Sequence, residues 1–172
     1  FEPSALNLRL LSLNVSDNCL ASRIIIVPSP LTERNDIASF RLSMLDEGGS
    51  MSTFGQDFGH NGSPFESVLE YETIGTTLDF MLASGLVSET PSLIKIDVDG
   101  IEHLVLRGAE KVLTSQSLRS ILIEVNEDFR ELAQEVRRIL EAAGFRMMER
   151  EHSGMFENGA FARSFNQVWV RG

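Results

Sequence analysis

The segment LIKIDVDGIEHLVLRGAEKVL, from Leu93 to Leu113, constrains the fold most strongly. Its first half is a short apolar run that ends in two aspartates and a glycine. Its second half places Ile101, Leu104, Val105, Ala109 and Val112 at helical spacing. A buried strand that ends in charge and turns into an amphipathic helix is one unit of a wound α/β sheet. The pattern then repeats. SILIEV, from Ser120 to Val125, predicts the next strand. Phe129, Leu132, Val136, Ile139, Leu140 and Ala143 mark the inner face of a helix stopped by Gly144. FRMMER and FNQVWVR follow without a clear intervening helix, so the last strand is expected to run antiparallel.

The first half is less regular. FEP reads as the end of a strand, because Pro3 cannot continue a central ladder. Ser4 caps a helix that carries Leu6, Leu10 and Leu13 at helical spacing. RIIIVP (Arg23 to Pro28) predicts a buried strand, IASFRLSML a strand on the sheet margin, SVLEYETI another strand, and Thr77 to Leu86 a short helix. Between Asp46 and Pro64 five glycines sit among Ser, Asn and Asp, which predicts a long mobile loop, either a functional lid or a disordered segment. Strands alternating with helices over 172 residues imply one α/β domain, residues 1–172, with a doubly wound, mostly parallel sheet.

Charge narrows the partners. The net charge is −10, and Arg137-Arg138 is the one cluster of basic residues, on a mixed-charge helix. Nucleic acid is therefore not expected as a substrate. No stretch approaches the roughly 20 apolar residues of a membrane-spanning helix. The opening FEPSALN has neither the basic start nor the apolar centre of a signal peptide, and it lacks an initiator Met. The expectation is that the protein's N-terminus lies upstream. The lone Cys19 forms no internal disulfide and fits a reducing, cytoplasmic setting.

In wound sheets, ligands bind beyond the carboxyl ends of the strands. Glu2, Asp97, Asp99 and Glu124 stand at such ends. Glu2 suits the two hydroxyls of a ribose, or is a surface carboxylate. Asp97 closes an apolar strand and needs a partner, whether ligand, metal ion or backbone amide. Glu124 repeats that situation one strand over. Asp99 and Glu102 have the D-x-x-E spacing of a capping box for a helix starting at Gly100, which explains both without chemistry. His103 is expected in solvent. His60, in the glycine-rich segment, would reach a substrate when that loop closes. His152 has no sequence partner. Several convergent carboxylates would also suit Mg²⁺ or Ca²⁺, and the sequence leaves proton acceptor and metal ligand unresolved. Zinc-hydrolase, serine-hydrolase and P-loop patterns are absent.

IKIDVDGIEHLVLRGAEKVL followed by SILIEVNE resembles the FkbM methyltransferases, whose motif runs K-I-D-(V)-E/D-G-x-E-x-x-x-L-x-G-A. FEPSALNLRLLSLNV, PSPLTERNDIASF and TIGTTLDFML resemble that family's flanking segments in the same order. Asp99 stands where many relatives have Glu. The resemblance implies a Rossmann-like class I methyltransferase fold binding S-adenosylmethionine, with methyl transfer to an oxygen of a sugar or natural product. It implies Glu2 on the ribose, Pro28 and Ser29 beside the adenine, and Asp97 by the methionine end and the acceptor, with Asp99 and Glu124 nearby. For taking the acceptor's proton or orienting the acceptor, Asp97 ranks first, then Glu124, then Asp99. The family's first strand and glycine-rich turn should precede FEP and are missing, which would leave a gap in mid-sheet. A catalytically silent binding domain and a Rossmann-like oxidoreductase are the competing readings.

Overall fold

The run that ends in Asp97 and Asp99 forms a strand only as far as Ile96. In the computed structural model, which describes residues 1–152, 159 and 161–172, that strand is one of seven among the described residues. They form two sheets. Strands β1 (Asp36–Leu42), β2 (Ser52–Phe54) and β3 (Leu69–Gly75) make an antiparallel sheet ordered β2-β1-β3. Strands β4 (Leu93–Ile96), β5 (Ser120–Asn126), β6 (Phe145–Glu151) and β7 (Ser164–Arg171) make a second sheet ordered β4-β5-β7-β6.

The expectation of a mostly parallel sheet is corrected here. Among the described residues, β4 with β5 is the one parallel pairing between named strands, and β7 runs antiparallel to both β5 and β6. The antiparallel last strand is as expected. Two predicted strands do not form. Residues 24–28 are unpaired, and Ile25 is 65% exposed. A single backbone bond, Glu2 N–H to the Val27 carbonyl at 3.0 Å, joins this run to the Phe1–Pro3 segment. The β-branched residues favour extended backbone, but no neighbouring strand supplies a ladder. The predicted margin strand at 37–45 does form, as β1, in the separate three-stranded sheet.

Five helices complete the described fold: α1 (Ala5–Asp17), α2 (Leu78–Ala83), α3 (Glu102–Arg107), α4 (Glu110–Thr114) and α5 (Arg130–Ala142). Alternation in β5 buries Ile121, Ile123 and Val125, and the register sets Ile121 opposite Trp169 of β7. Against this face pack Leu106, Val112 and Leu113, together with Leu132, Val136 and Leu140 of α5. A second cluster joins Phe40, Leu42 and Phe54 of the antiparallel sheet to Ile101 and Leu104, so the two sheets meet through α3.

The single helix predicted after β4 is two. At Gly108 a Cβ would run into the backbone carbonyl of Thr32, so a glycine is required where the chains touch. The restart is capped from a distance. Asp79 of α2 accepts from Lys111 N at 2.9 Å and from Val112 N at 3.0 Å, supplying the oxygens that Ala109 lacks. Asp79→Ala should therefore lower stability by about 2 kcal/mol. Urea denaturation should show a lower midpoint with unchanged slope, and an unchanged midpoint would rule out this capping role.

Candidate active site

The parallel register pairs Ile96 of β4 with Ile123 of β5, so the next residues, Asp97 and Glu124, arrive side by side at the sheet's upper edge. Their surroundings differ. Asp97 is exposed and pairs with Lys95 Nζ at 2.6 Å. Glu124 is half-buried. Burial raises its carboxyl above the usual range, and Asp97 and Asp99 push the same way, against Lys95 and His152.

The capping box does not form. Helix α3 begins at Glu102, with Ile101 in the cap position and no side-chain bond there. Asp99 instead turns towards the other sheet, where its Oδ2 accepts from Ser52 N of β2 at 3.0 Å. Burial raises its carboxyl, while the Ser52 and Met51 amides and nearby His60 pull it back. Glu102, assigned from spacing to the reciprocal cap, is only 4% exposed. Its Oε1 accepts from Gly100 N at 3.3 Å, and its Oε2 has no partner. Burial pushes this carboxyl well above the usual range, and Asp99 and Glu124 add to the push. A sequence signal existed: Glu102, Val105, Leu106 and Ala109 share one helical face.

Gly100, with φ +101°, is what brings the glycine-rich segment here. A Cβ at Gly100 would lie 2.7 Å from Gly59 O and 3.0 Å from His60 Cα, so the Gly59–Gly62 turn rests on its backbone. His60 is half-buried, its Nε2 is buried without a partner among the described residues, and its ring stacks 4.9 Å from that of Phe161. Phe58 meets Phe129 edge-on at 5.5 Å. The predicted mobile loop is thus tied down. It contains β2, Asn7 bonds both Gly48 N and Gly49 O at 2.9 Å, and Gly62 N bonds Gly59 O. His103, expected in solvent, is half-buried with Nδ1 unpartnered among the described residues. His152 Nε2 contacts the Ala162 carbonyl at 2.9 Å.

Beside β4 lies a cavity of ≈ 620 Å³ lined by Glu2, Leu31, Thr53, Asp97 and Asp99, among others. Ser4 N binds Glu2 Oε1 at 2.8 Å, leaving Oε2 for a ligand. Pro28 is exposed and Ser29 Oγ donates to the Ile74 carbonyl; neither lines the cavity, whereas Pro30 and Leu31 do. The structure thus brings Glu2, Asp97 and Asp99 to one cavity, sets Glu124 beside Asp97, and leaves Pro28 and Ser29 outside. Sequence reasoning overlooked Thr53, Pro30 and Leu31, whose place depends on folding contacts that no local pattern carries. Among the described residues, no three His, Cys, Asp or Glu side chains are grouped so as to hold a metal ion.

Comparison with known families finds one match: the model of the Methyltransferase FkbM domain, over residues 1–147. No curated protein and no solved structure matches the chain.

The burial of Glu102 has a measurable linkage. Its carboxyl binds a proton more tightly folded than unfolded, so it stabilises least at high pH. Stability is full below the unfolded value near 4.5 and falls as pH rises towards the folded value. Relative to Glu102→Gln, the wild type should lose up to about 1.4 kcal/mol per pH unit in that window, the slope for one proton. Parallel pH–stability curves for the two proteins would mean that Glu102 ionises freely in the fold.

Proposed function

Because the chain belongs to the FkbM methyltransferase family, we propose that it moves the methyl group of S-adenosylmethionine to a hydroxyl oxygen of a small-molecule or carbohydrate acceptor. The observation that carries this reading is the cavity beside β4, with carboxylates at its rim. Its volume lies within the roughly 300–1,000 Å³ usual for small-molecule sites. Its lining suits a nucleoside that bears a cation, because apolar residues such as Leu31 and Ile94 stand beside Glu2, Asp97 and Asp99. S-adenosylmethionine supplies an electrophilic methyl on a positively charged sulfur.

Glu2 would hold the ribose hydroxyls through its free Oε2. Asp97, paired with Lys95 at the cavity rim, would face the methionine end. Glu124 and Asp99 stand next to it, towards the Gly59–Gly62 turn, where an acceptor would lie. Most of the rate acceleration in an in-line displacement comes from holding the two reactants in attack geometry. The carboxylates serve that end by orientation and by a negative field that favours a cationic donor.

The edge of the second sheet borders the same cavity. Strand β4 pairs with β5 on one edge and has no partner among the described residues on the other, while Phe1–Pro3 lies along the same cavity.

A thermal-shift titration of the intact protein tests the reading. Saturating S-adenosylmethionine should stabilise it by about 2.7 kcal/mol at a hundred times Kd, with NAD inert. Glu2→Gln should weaken the affinity roughly tenfold, the worth of one charge-assisted hydrogen bond. Stabilisation by NAD instead would favour an oxidoreductase, and stabilisation by neither a silent binding domain.

A further inference from the structure

Gly49, Ser50 and Ser52 line the cavity beside β4, and they belong to one short strap, residues 48–52. Two side chains from other elements fasten this strap ahead of β2. Asn7 of α1 grips one end: its Nδ2 donates to the Gly49 carbonyl and its Oδ1 accepts from the Gly48 amide, both at 2.9 Å. Asp99 grips the other end through the Ser52 amide at 3.0 Å. Between the two anchors Met51 sits at φ +68°, a left-handed conformation that a side chain disfavours. A chain keeps such a conformation only where its surroundings over-determine it, and such residues cluster at ligand clamps.

The Asn7 anchor also leads back to Glu2. The Asn7 amide donates to Ser4 Oγ at 3.4 Å, and the Ser4 amide donates to Glu2 Oε1 at 2.8 Å. A path of hydrogen bonds therefore runs from Glu2 through the start of α1 and the strap to Asp99, and Glu2, Asn7 and Asp99 all line the cavity. We infer that Asn7 is a positioning residue that acts through the strap, holding this wall in the shape that receives the methyl donor. The inference rests on the methyltransferase reading above and adds to it the residue that sets the wall. A second tie joins the same two elements, Arg9 to Glu47 at 2.7 Å, but both side chains are exposed and such pairs contribute little. Asn7 is half-buried, and both ends of its amide are taken up by backbone.

The effect of releasing the strap follows from populations. Without Asn7, Met51 is free to leave its left-handed conformation, and the fraction of molecules with the wall in place falls. Apparent Kd is the intrinsic value divided by that fraction. The loss therefore appears as weaker binding, and bound cofactor brings the wall back. An asparagine with a merely structural role would lower stability and leave the affinity of the folded molecules unchanged.

Calorimetric titration of the intact protein with S-adenosylmethionine, together with amide hydrogen exchange read residue by residue, tests this. Asn7→Ala should raise Kd about tenfold, the worth of one net hydrogen bond. The Ser52 amide bonds to Asp99 and not to Asn7, so it reports on the strap itself. In free Asn7→Ala it should exchange about tenfold faster than in wild type, and saturating cofactor should return it to the rate of the wild-type complex. Asn7→Asp keeps the acceptor for Gly48 and loses the donor to Gly49, so its Kd should fall between the two. Arg9→Ala should stay within twofold of wild type.

Gly49→Ala separates the strap from any direct contact of Asn7 with the ligand. Its Cβ would lie 2.8 Å from the Asp46 carbonyl oxygen and 2.9 Å from Met44 Cγ, which displaces the strap while leaving the Asn7 side chain intact. Gly49→Ala should also raise Kd about tenfold. The double variant should bind within about twofold of the weaker single variant, whereas independent effects would multiply. A Kd within twofold of wild type in Asn7→Ala, multiplying effects in the double variant, or a Ser52 amide that stays fast with cofactor bound would overturn the inference. A wild type that binds no cofactor overturns the reading on which it rests, and the inference with it.

Discussion

Every residue of the candidate site depends on how the chain leaves β4. Five residues, Asp97 to Ile101, carry it from the sheet into α3, and two long-range contacts hold Asp99 and Gly100. Asp99 accepts the Ser52 amide from 47 positions away, and Gly100 receives the Gly59–His60 backbone. The first contact fastens the three-stranded sheet to the four-stranded one. The second closes the glycine-rich turn over the carboxylates. Without φ +101° at Gly100, and without the missing Cβ there, the turn could not approach. The same connection places Asp97 and Asp99 in the lining of the cavity beside β4.

That arrangement concentrates negative charge. Burial raises the carboxyls of Asp99, Glu102 and Glu124 above the usual range, and neighbouring carboxylates add to the push: Asp97 on Asp99, Asp99 and Glu124 on Glu102, Asp97 and Asp99 on Glu124. Asp97 is the exposed member, with a lysine beside it. A fold optimised for stability alone would not crowd carboxyls in this way, and strained or unsatisfied groups concentrate where function needs them. The compensation lies elsewhere, in the apolar face of β5 against α3, α4 and α5 and in the satisfied pair of Trp169 Nε1 with Gln167 Oε1.

The parts of this fold that local pattern specifies were legible. Strands β4 and β5, helix α5 and its stop at Gly144, and the two closing strands all follow from periodicity and punctuation. Where pairing partners decide, the pattern misled: Ile24 to Val27 has every property of a buried strand except a neighbour to pair with. The capping reading of Asp99 and Glu102 failed for a related reason. Spacing shows which groups can reach each other along a helix, yet the Asp99 carboxylate is bound to another strand and Glu102 points into the core. Glu2 and Asp97 were singled out as strand-end carboxylates; Asp97 follows β4, Glu2 lies in no strand, and both line the one cavity. That Pro28 and Ser29 lie off this cavity, while Pro30 and Leu31 line it, depends on a two-residue offset that no motif fixes.

The central claim is that the methyl donor is held in the cavity between Glu2 and the end of β4. Ultraviolet cross-linking of methyl-labelled S-adenosylmethionine to the intact protein, followed by peptide mapping, tests it most directly. The account predicts label on peptides that contain Glu2 and the Leu93–Asp99 stretch, displaced by excess unlabelled cofactor. Label confined to peptides remote from that cavity, or label that excess cofactor does not displace, would contradict it.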